Sequence, residues 1–296
     1  MIKRAWRTAL YQFRQWRGNT RIITAFVLTF ILCFILSDSY ITYAEKYGYS
    51  IQFMEAFIWS FGDANNILLL SLFAYVIFSD MPMINTYTPY ILVRENRREW
   101  LWGQVIYIVV TIIIFMSFVL ASTGILTARI SYPGNVWSKA SVALAYAGKK
   151  NEMSVPVSIR TLQMSRPFQT ALSVYMLVIL YLVTIIFIMM LFNIIKGHRA
   201  GMAASLTFAV FGLLLNPANI SKLFNLPEEL YYKANVIVGW ISPLNHATFH
   251  MHSFGYDDLP KMYQSVLIFM VLIIILSVFI DRAFRKYSFS FVGTER

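Results

Sequence analysis

The amino-acid sequence predicts an all-α membrane protein with about six transmembrane helices and an N-terminal helix at the membrane interface. Hydrophobic residues make up 58% of the 296 residues and charged residues only 13%, whereas a soluble domain carries about 25% charged residues. The remaining charged residues separate long apolar runs, which is typical of a chain that crosses a bilayer several times. Lys and Arg are also unevenly distributed between the segments that join these runs.

The N-terminal segment, residues 3–20, has the pattern of a basic amphipathic helix. Trp6, Leu10 and Phe13 recur at helical spacing on one side, and arginines line the other side. Such a helix lies in the membrane interface with its aromatic side chains as anchors. A signal peptide is a poor alternative, because the charged region is too long and no small-residue cleavage site follows Ser37.

The first apolar run predicts a transmembrane span over 22–37. Asp38 to Tyr40 is expected to end this span outside the cell, before a short polar connection. Cys33 is the only cysteine, so one chain has neither a disulfide nor a cysteine-based zinc site. It is expected to be a small residue facing lipid or the core.

The second apolar run, about 51–79, contains polar side chains that are costly at bilayer depth. They are Glu55, Asp63, Asn65 and Asn66. Two interpretations remain open: the polar groups face the protein interior or a water-filled cavity, or the span begins near Ala64 and leaves Glu55 and Asp63 in the headgroup region. Under the first interpretation Asn65 and Asn66 are candidates to line a transport pathway.

A strongly charged, helix-compatible segment, 88–104, follows this run. Its arginines and carboxylates fall at helical spacings, and Trp100 and Trp102 mark the return to an apolar medium. We interpret it as a short cytoplasmic helix that binds a soluble partner. The alternative is that it forms a solvated basic loop. The candidate contact residues are Arg94, Glu95, Asn96, Arg97 and Arg98.

Two further spans enclose the longest polar excursion of the chain. The runs 105–126 and 168–195 are predicted as the third and fourth spans, with an extracytoplasmic segment over 128–167 between them. Pro133 and Gly134 predict a turn in this segment. The composition of 136–147 is compatible with a helix on the outer surface.

The last third of the chain predicts a hairpin and a final span. Lys196 to Arg199 is a tight basic turn into a fifth span, 200–215, which begins with small residues that let helices approach closely. Ser205 in this span and Asn216 after it are further pathway candidates. An outer segment, 220–260, precedes the last span, 262–280.

This topology places both termini in the cytoplasm and explains the net charge of +11. The inner segments carry 15 of the 25 Lys and Arg residues and five of the 14 Asp and Glu residues, which leaves +10 inside and +1 outside. Basic residues concentrate on the cytoplasmic side of membrane proteins. The net positive charge is therefore explained by the membrane topology, and we expect no nucleic-acid partner.

Motifs for autonomous catalysis are missing from the sequence. No G-x-x-x-x-G-K-[ST] phosphate loop is present, so the chain does not hydrolyse ATP by that route. His246, His250 and His252 could form an outward-facing metal site, but no carboxylate has ligand spacing beside them. We therefore expect interfacial histidines and no bound metal or other cofactor.

The layout resembles the permease subunits of ATP-binding cassette (ABC) transporters of the ABC-2 export type, over essentially the full chain. Besides the interfacial helix and six spans, one feature is Tyr90-Ile-Leu-Val-Arg94-Glu95-Asn96-Arg97-Arg98, which is similar to the L-x-R-P/G-x-x-R cytoplasmic segment of such permeases. A second is Trp240-Ile-Ser242-Pro243-Leu244-Asn245, similar to their W-x-S-P-x-x stretch before the last span.

The resemblance implies a non-catalytic subunit of a cell-membrane transporter, in one permease domain over 1–296. Residues 88–104 would be the coupling helix seated in a separate ATPase subunit, which binds the ATP. The region 235–258, with Trp240, Ser242 and Pro243, would form short re-entrant outer helices that cap the pathway. A second copy or a related permease would complete this pathway.

One departure from the family pattern leaves other functions open. The outer segment 128–167 is longer than the short connection expected there. A membrane sensor or immunity subunit that binds an extracellular peptide through this segment is one alternative. A metal-dependent membrane enzyme that uses the three histidines is a weaker one.

Overall fold

A central helix, Pro167–Lys196, lies at the core of the fold, and most of its surface is covered by other helices. A computed structural model of the chain describes residues 2–84, 88–94, 96–146, 157–215, 217–225, 227 and 230–287. The helices of this part of the chain are α1 Ile2–Arg14, α2 Thr20–Lys46, α3 Glu55–Phe61, α4 Ala64–Phe78, α5 Thr88–Arg94, α6 Arg97–Thr127, α7 Lys139–Tyr146, α8 Ile159–Met164, α9 Pro167–Lys196, α10 His198–Leu214, α11 Pro217–Leu223, α12 Tyr231–Ile241, α13 Pro243–Ala247 and α14 Met262–Arg285. Short 3₁₀ turns occupy Gln15–Gly18 and Phe249–Met251. The strands β1, Ile51–Gln52, and β2, Ser131–Tyr132, pair in parallel.

Four of these helices are long and apolar enough to cross a membrane. They are α2, α6, α9 and α14, and the number rises to five when α3 and α4, which meet at an 87° bend, are counted as one broken span. Helix α10 has 17 residues, about 26 Å at the usual rise per residue, and is somewhat shorter than a hydrocarbon core. The structure thus supports an all-α, multi-pass membrane protein.

Helix α9 is apolar on all sides, which is why it can be buried on all sides. Helices α4, α6, α10 and α14 pack around it, and its residues from Leu177 to Met190 are all buried. The turn into α10 depends on Gly197, whose φ of 88° lies in the left-handed region that favours glycine. The sequence-predicted hairpin is therefore confirmed.

Small residues bring α10 against α9, as predicted for Gly201 and Ser205. A Cβ at Gly201 would lie 1.8 Å from Oδ1 of Asn193 and 2.5 Å from the carbonyl oxygen of Met189. Ser205 is fully buried. Side-chain volume at Gly201 would separate the two helices.

Helix α1 lies against the first turns of α6. Its buried face consists of small or medium residues, Ala5, Thr8 and Ala9 among them, and the predicted aromatic anchor Trp6 remains exposed. A Cβ at Gly103 of α6 would lie 2.6 Å from Cβ of Thr8. Glycine at this position allows the close crossing.

One predicted boundary differs from that in the structure, and a second agrees with one of the two interpretations left open. Helix α2 does not end at Asp38–Tyr40 but continues to Lys46, because Tyr40, Tyr43 and Ala44 extend its buried stripe. Helix α4 begins at Ala64, after Asp63, whose carboxylate accepts a hydrogen bond from the N–H of Asn65. Of the two interpretations left open for the second run, the helix boundary fits the later start, whereas Glu55 lies inside the protein.

The predicted outer segments carry short helices. Helix α7 falls within 136–147 as predicted, and its segment is linked to the second run through the β1–β2 pair. The ten residues 147–156 lie outside the described part of the chain. Helices α11, α12 and α13 occupy the segment before α14.

Candidate functional site

The predicted coupling segment, 88–104, is divided between two helices. Helix α5 ends at Arg94 and α6 begins at Arg97, so a single short helix across the segment is not what the structure shows. The segment is divided because a new helix, α6, starts within it. The carboxylate of Glu99 accepts a hydrogen bond from the N–H of Asn96, 3.3 Å away, and so caps the start of α6. The spacing Asn-x-x-Glu is a known N-terminal signature that the sequence contained. Glu95 and the side chain of Arg94 lie outside the described residues.

The start of α6 is fastened to α1 through a carboxylate and to α14 through an aromatic contact. Glu99 is buried, and its carboxylate lies 3.4 Å from the guanidinium of Arg4 on α1. The fully buried ring of Trp100 stacks on Phe284 of α14, with centroids 5.5 Å apart and an interplanar angle of 17°. Helices α1, α6 and α14 are thereby joined at one end of the bundle, which we call the basic end.

Ion pairs with exposed guanidiniums add to these contacts at the basic end. Arg98 Nε lies 3.5 Å from Asp281 Oδ1, and Arg285 Nη2 lies 2.7 Å from Asp281 Oδ2. Arg21 of α2 pairs closely with Asp80 after α4. The hydrogen bond from Arg21 holds the pKa of Asp80 below its usual value, although partial burial opposes this. Arg97 and Arg98 both have exposed side chains.

The opposite end of the bundle is built around the buried carboxylate of Glu55. Its Oε2 accepts hydrogen bonds from the Tyr40 hydroxyl at 2.7 Å and the N–H of Gln52 at 3.0 Å. Its Oε1 accepts from the N–H of Ser138 at 2.7 Å. All four residues are buried. One side chain thus joins α2, β1, α3 and the segment that leads into α7.

Two histidines at the opposite end share one serine of α14. His246 Nδ1 lies 2.7 Å and His252 Nε2 lies 2.8 Å from Ser265 Oγ. Each ring directs its other nitrogen at carbonyl oxygens, Trp240 for His246 and Thr248 for His252, so those nitrogens carry the hydrogens. Sequence reasoning had grouped these histidines as candidate metal ligands and did not identify Ser265.

The hydroxyl of Ser265 has a single hydrogen for the two histidines that face it. While both rings are neutral, one of the two contacts lacks a hydrogen, and one added proton would supply it. Burial opposes that charge: it lowers the pKa of His252 to about 4 and also lowers the pKa of His246. The arrangement holds α13 and the following 3₁₀ turn against α14.

The third histidine, His250, lies apart from this pair. It lines a cavity of about 10 Å³ together with Asp63 and Thr161, which is room for about one water molecule. Within the described residues no group of three or more His, Cys, Asp or Glu side chains could hold a metal ion. The structure therefore offers no support for the metal-dependent enzyme.

The predicted pathway residues occupy different environments. Asn66 is buried and donates to the carbonyl oxygen of Ser60 at 2.8 Å, whereas Asn65 is exposed. The hydroxyl of Ser205 donates to the carbonyl oxygen of Gly201 at 2.9 Å. Asn66 and Ser205 thus have hydrogen-bond partners within the chain, and Asn216 lies outside the described residues.

The outer residues named from the resemblance form the break between α12 and α13. Trp240 Nε1 donates to the carbonyl oxygen of Asp258 at 2.9 Å. The buried Ser242 hydroxyl donates to the carbonyl oxygen of Gly212 at 2.9 Å and accepts from the N–H of Asn245 at 3.3 Å. Pro243 occupies the first turn of α13, a position that suits its missing N–H. These contacts fix α13 to the end of α10.

Comparison with known proteins gives no family assignment. No protein-family model matches the chain, and neither curated proteins nor solved structures give a match. A functional proposal therefore depends on the layout of the helices and on the geometry of the two ends.

Proposed function

We propose that this chain is the transmembrane permease subunit of an ATP-driven export transporter of the ABC-2 type, with ATP hydrolysis in a separate subunit. The multi-pass helical fold and the resemblance in layout support this. The single observation that carries it is the start of α6, where Arg97 and Arg98 are exposed on a turn that is itself firmly attached to α1 and α14. A partner subunit can bind to such a turn while the turn stays packed against the other helices.

The attachments explain how a contact at this turn would move the membrane helices. A soluble partner can dock on it by charge complementarity and by contact with neighbouring aromatic side chains. Helix α6 has 31 residues without a break and is about 46 Å long. Since Trp100 stacks on Phe284 and Glu99 pairs with Arg4, a force on the turn would tilt α6 together with α14 and α1, as in rigid-body switching.

The proposal includes a topology in the cell membrane. The basic end faces the cytoplasm, in accordance with the positive-inside pattern, and both termini lie on that side. Six crossings result if α10 and the α3–α4 pair each count as one. A second copy or a related permease completes the pathway, for which the exposed Asn65 and the undescribed Asn216 remain candidates.

The test is charge reversal at the docking turn. The reading frames next to the gene of this chain are searched for a phosphate-loop ATPase, which is then co-expressed with the protein and purified with it as a complex. Arg97→Glu combined with Arg98→Glu should abolish permease-stimulated ATP hydrolysis, because both changes oppose the partner's charge, while membrane insertion and the yield of the permease persist.

The matched control reverses two exposed charges at the opposite end, Arg129→Glu with Arg166→Glu. It imposes the same change in net charge and should retain the stimulated ATPase activity. Wild-type stimulation in the Arg97/Arg98 double variant would refute the assigned role, as would failure of the chain to assemble with any ATPase subunit.

A further inference from the structure

A groove at the basic end changes from apolar to positively charged along its length. It lies between α6 and α14 and has a volume of about 640 Å³. Its apolar part is formed by Trp102 of α6 and by Ile274 and Val278 of α14, all of them substantially exposed. Ile274, Val278 and Arg282 are spaced four residues apart, so they follow one another on the same face of α14.

The charged part of the groove carries three arginines and one carboxylate. Arg98, Arg282 and Arg285 surround Asp281. The carboxylate pairs with Arg98 and Arg285, whereas Arg282 has no ion pair within the described residues. One carboxylate thus positions two guanidiniums, and the group keeps an excess of two positive charges.

We propose that this groove binds an anionic phospholipid of the surrounding leaflet. Its phosphate would lie among the guanidiniums, and an acyl chain would lie along Trp102, Ile274 and Val278. Guanidinium groups match phosphate oxygens in geometry and charge. Basic pockets between transmembrane helices bind acidic headgroups, and tryptophan is favoured at the level of the headgroups.

Other occupants fit this groove less well. A second copy seated here by two-fold symmetry would bring the same arginines together, and like charges repel. A soluble partner would have to reach Ile274, which lies about two turns deeper along α14 than Asp281. The proposal depends on α6 and α14 being in the membrane and does not depend on coupling to an ATPase.

The test uses quenching of tryptophan fluorescence by brominated lipids. The purified full-length protein is reconstituted in phosphatidylcholine vesicles that contain brominated phosphatidylglycerol or, at the same mole fraction, brominated phosphatidylcholine. The anionic lipid should quench more strongly, and the difference should disappear in Trp102→Phe, which identifies the responding residue.

Two variants remove arginines from the groove: Arg282→Gln alone, and Arg282→Gln combined with Arg285→Gln. The preference for phosphatidylglycerol over phosphatidylcholine should fall about fivefold for each arginine removed, because each basic residue contributes a similar increment to binding of acidic lipid. The single variant breaks no ion pair and keeps the proposal testable if the double variant fails to fold. Lys196→Gln with Arg199→Gln is the control: both residues are exposed at the same end of the molecule but do not line the groove.

Three outcomes would overturn the proposal. The first is an unchanged preference for phosphatidylglycerol in the Arg282/Arg285 variant. The second is an equal loss in the Lys196/Arg199 control, which would show diffuse surface charge. The third is displacement of the lipid by millimolar inorganic phosphate, which would show a site for free anions. The ATPase of the complex is not measured, so failure here leaves the proposed transport function untouched.

Discussion

The two ends of the bundle are held together by different physical means. At the basic end, helices are joined by ion pairs whose guanidiniums face solvent: the side chains of Arg4 and Arg98 are 56% and 57% exposed. At the opposite end, Glu55, His246 and His252 are buried and bonded to neutral partners. An exposed ion pair contributes about 0–1 kcal/mol, whereas a buried polar group left without its partner costs about 1–3 kcal/mol.

This difference predicts that the opposite end contributes more to stability and that the basic end can change its contacts more easily. The opposite end should supply most of the polar contribution to stability, since its groups have no access to water when a partner is lost. The basic end can exchange one ionic partner for another at small cost, as docking of a subunit or of a lipid headgroup requires. The predictions below test this division, beginning with the largest effect.

Replacement of the buried carboxylate should have the largest effect. Glu55→Ala leaves the N–H groups of Gln52 and Ser138 without their acceptor, whereas the Tyr40 hydroxyl keeps Ser141 Oγ at 2.8 Å as a partner. At about 1 kcal/mol or more for each of these two orphaned donors, the free energy of unfolding should fall by at least about 2 kcal/mol. Thermal unfolding of the purified protein in detergent measures this loss.

Two controls accompany this experiment. Glu45→Ala removes an exposed carboxylate near the same end and should change stability by less than about 0.5 kcal/mol. Tyr40→Phe removes one of the three donors and should have a smaller effect than Glu55→Ala. A loss in Glu55→Ala no greater than that in Glu45→Ala would break the comparison between the two ends.

Acidification should destabilise the opposite end through His252. Its pKa is about 4 in the folded protein, against a usual value of 6.5, so the unfolded chain binds a proton that the folded chain does not. Stability from this group is complete above pH 6.5 and is lost as the pH falls toward 4, by at most about 3 kcal/mol. Unfolding temperatures measured from pH 7.5 to pH 4.5 report this slope.

The pH slope can be assigned by substitution. His252→Gln should make the slope shallower between pH 6.5 and pH 4.5, because one of the buried histidines with a lowered pKa is gone and His246 remains. A pH slope as steep in His252→Gln as in the parent protein would show that other groups cause the loss of stability.

Packing at the basic end should also be sensitive at one point, the crossing of α1 over α6. Alanine ordinarily stabilises a helix relative to glycine, but a Cβ at Gly103 would overlap Thr8. Gly103→Ala should therefore lower stability by about 1–3 kcal/mol and loosen α1. Maleimide labelling of a cysteine introduced at the buried Ala9 should become faster.

The matched glycine for this experiment is Gly18, where an added Cβ would meet nothing within 4 Å. Gly18→Ala should leave both the stability and the labelling rate near those of the parent. If Gly103→Ala behaves in the same way, α1 does not cross α6 as closely as described.

The smallest effect is expected from an ion pair. Arg4→Gln removes the guanidinium that faces Glu99 at 3.4 Å, and the loss should stay below about 1 kcal/mol because Arg4 is largely exposed. Raising the salt concentration should reduce the difference from the parent protein further. A loss as large as that in Glu55→Ala would show that the basic end is as rigid as the opposite end.

The sequence predicted those parts of the fold that depend on local patterns. The apolar runs identified α6, α9 and α14, and Gly197 marked the α9–α10 turn. The start of α6 was missed although the sequence contained its signal, Asn96 followed by Glu99. The end of α2 was misplaced because Asp38 is polar but exposed, while its neighbours on the buried face continue the helix.

The contacts that build the polar clusters could not be predicted in this way. Ser138 is 83 positions from Glu55, and no periodicity in a single sequence links them. His246, His250 and His252 stood out as a cluster, but the common partner of His246 and His252, Ser265, lies on another helix. Asn66 was identified as a costly polar residue, and the structure supplies its partner, the carbonyl oxygen of Ser60.

The burial of α9 has a consequence for biogenesis. The ribosome completes α9 before it makes α10 and α14, two of the helices that later cover it. Because α9 is apolar on every side, and Ser173 and Thr184 bond to carbonyl oxygens of their own helix, it can remain in lipid until these neighbours arrive. Insertion of α9 can thus precede its packing against α10 and α14, and the faces that these two helices cover in the finished protein can first be in contact with lipid.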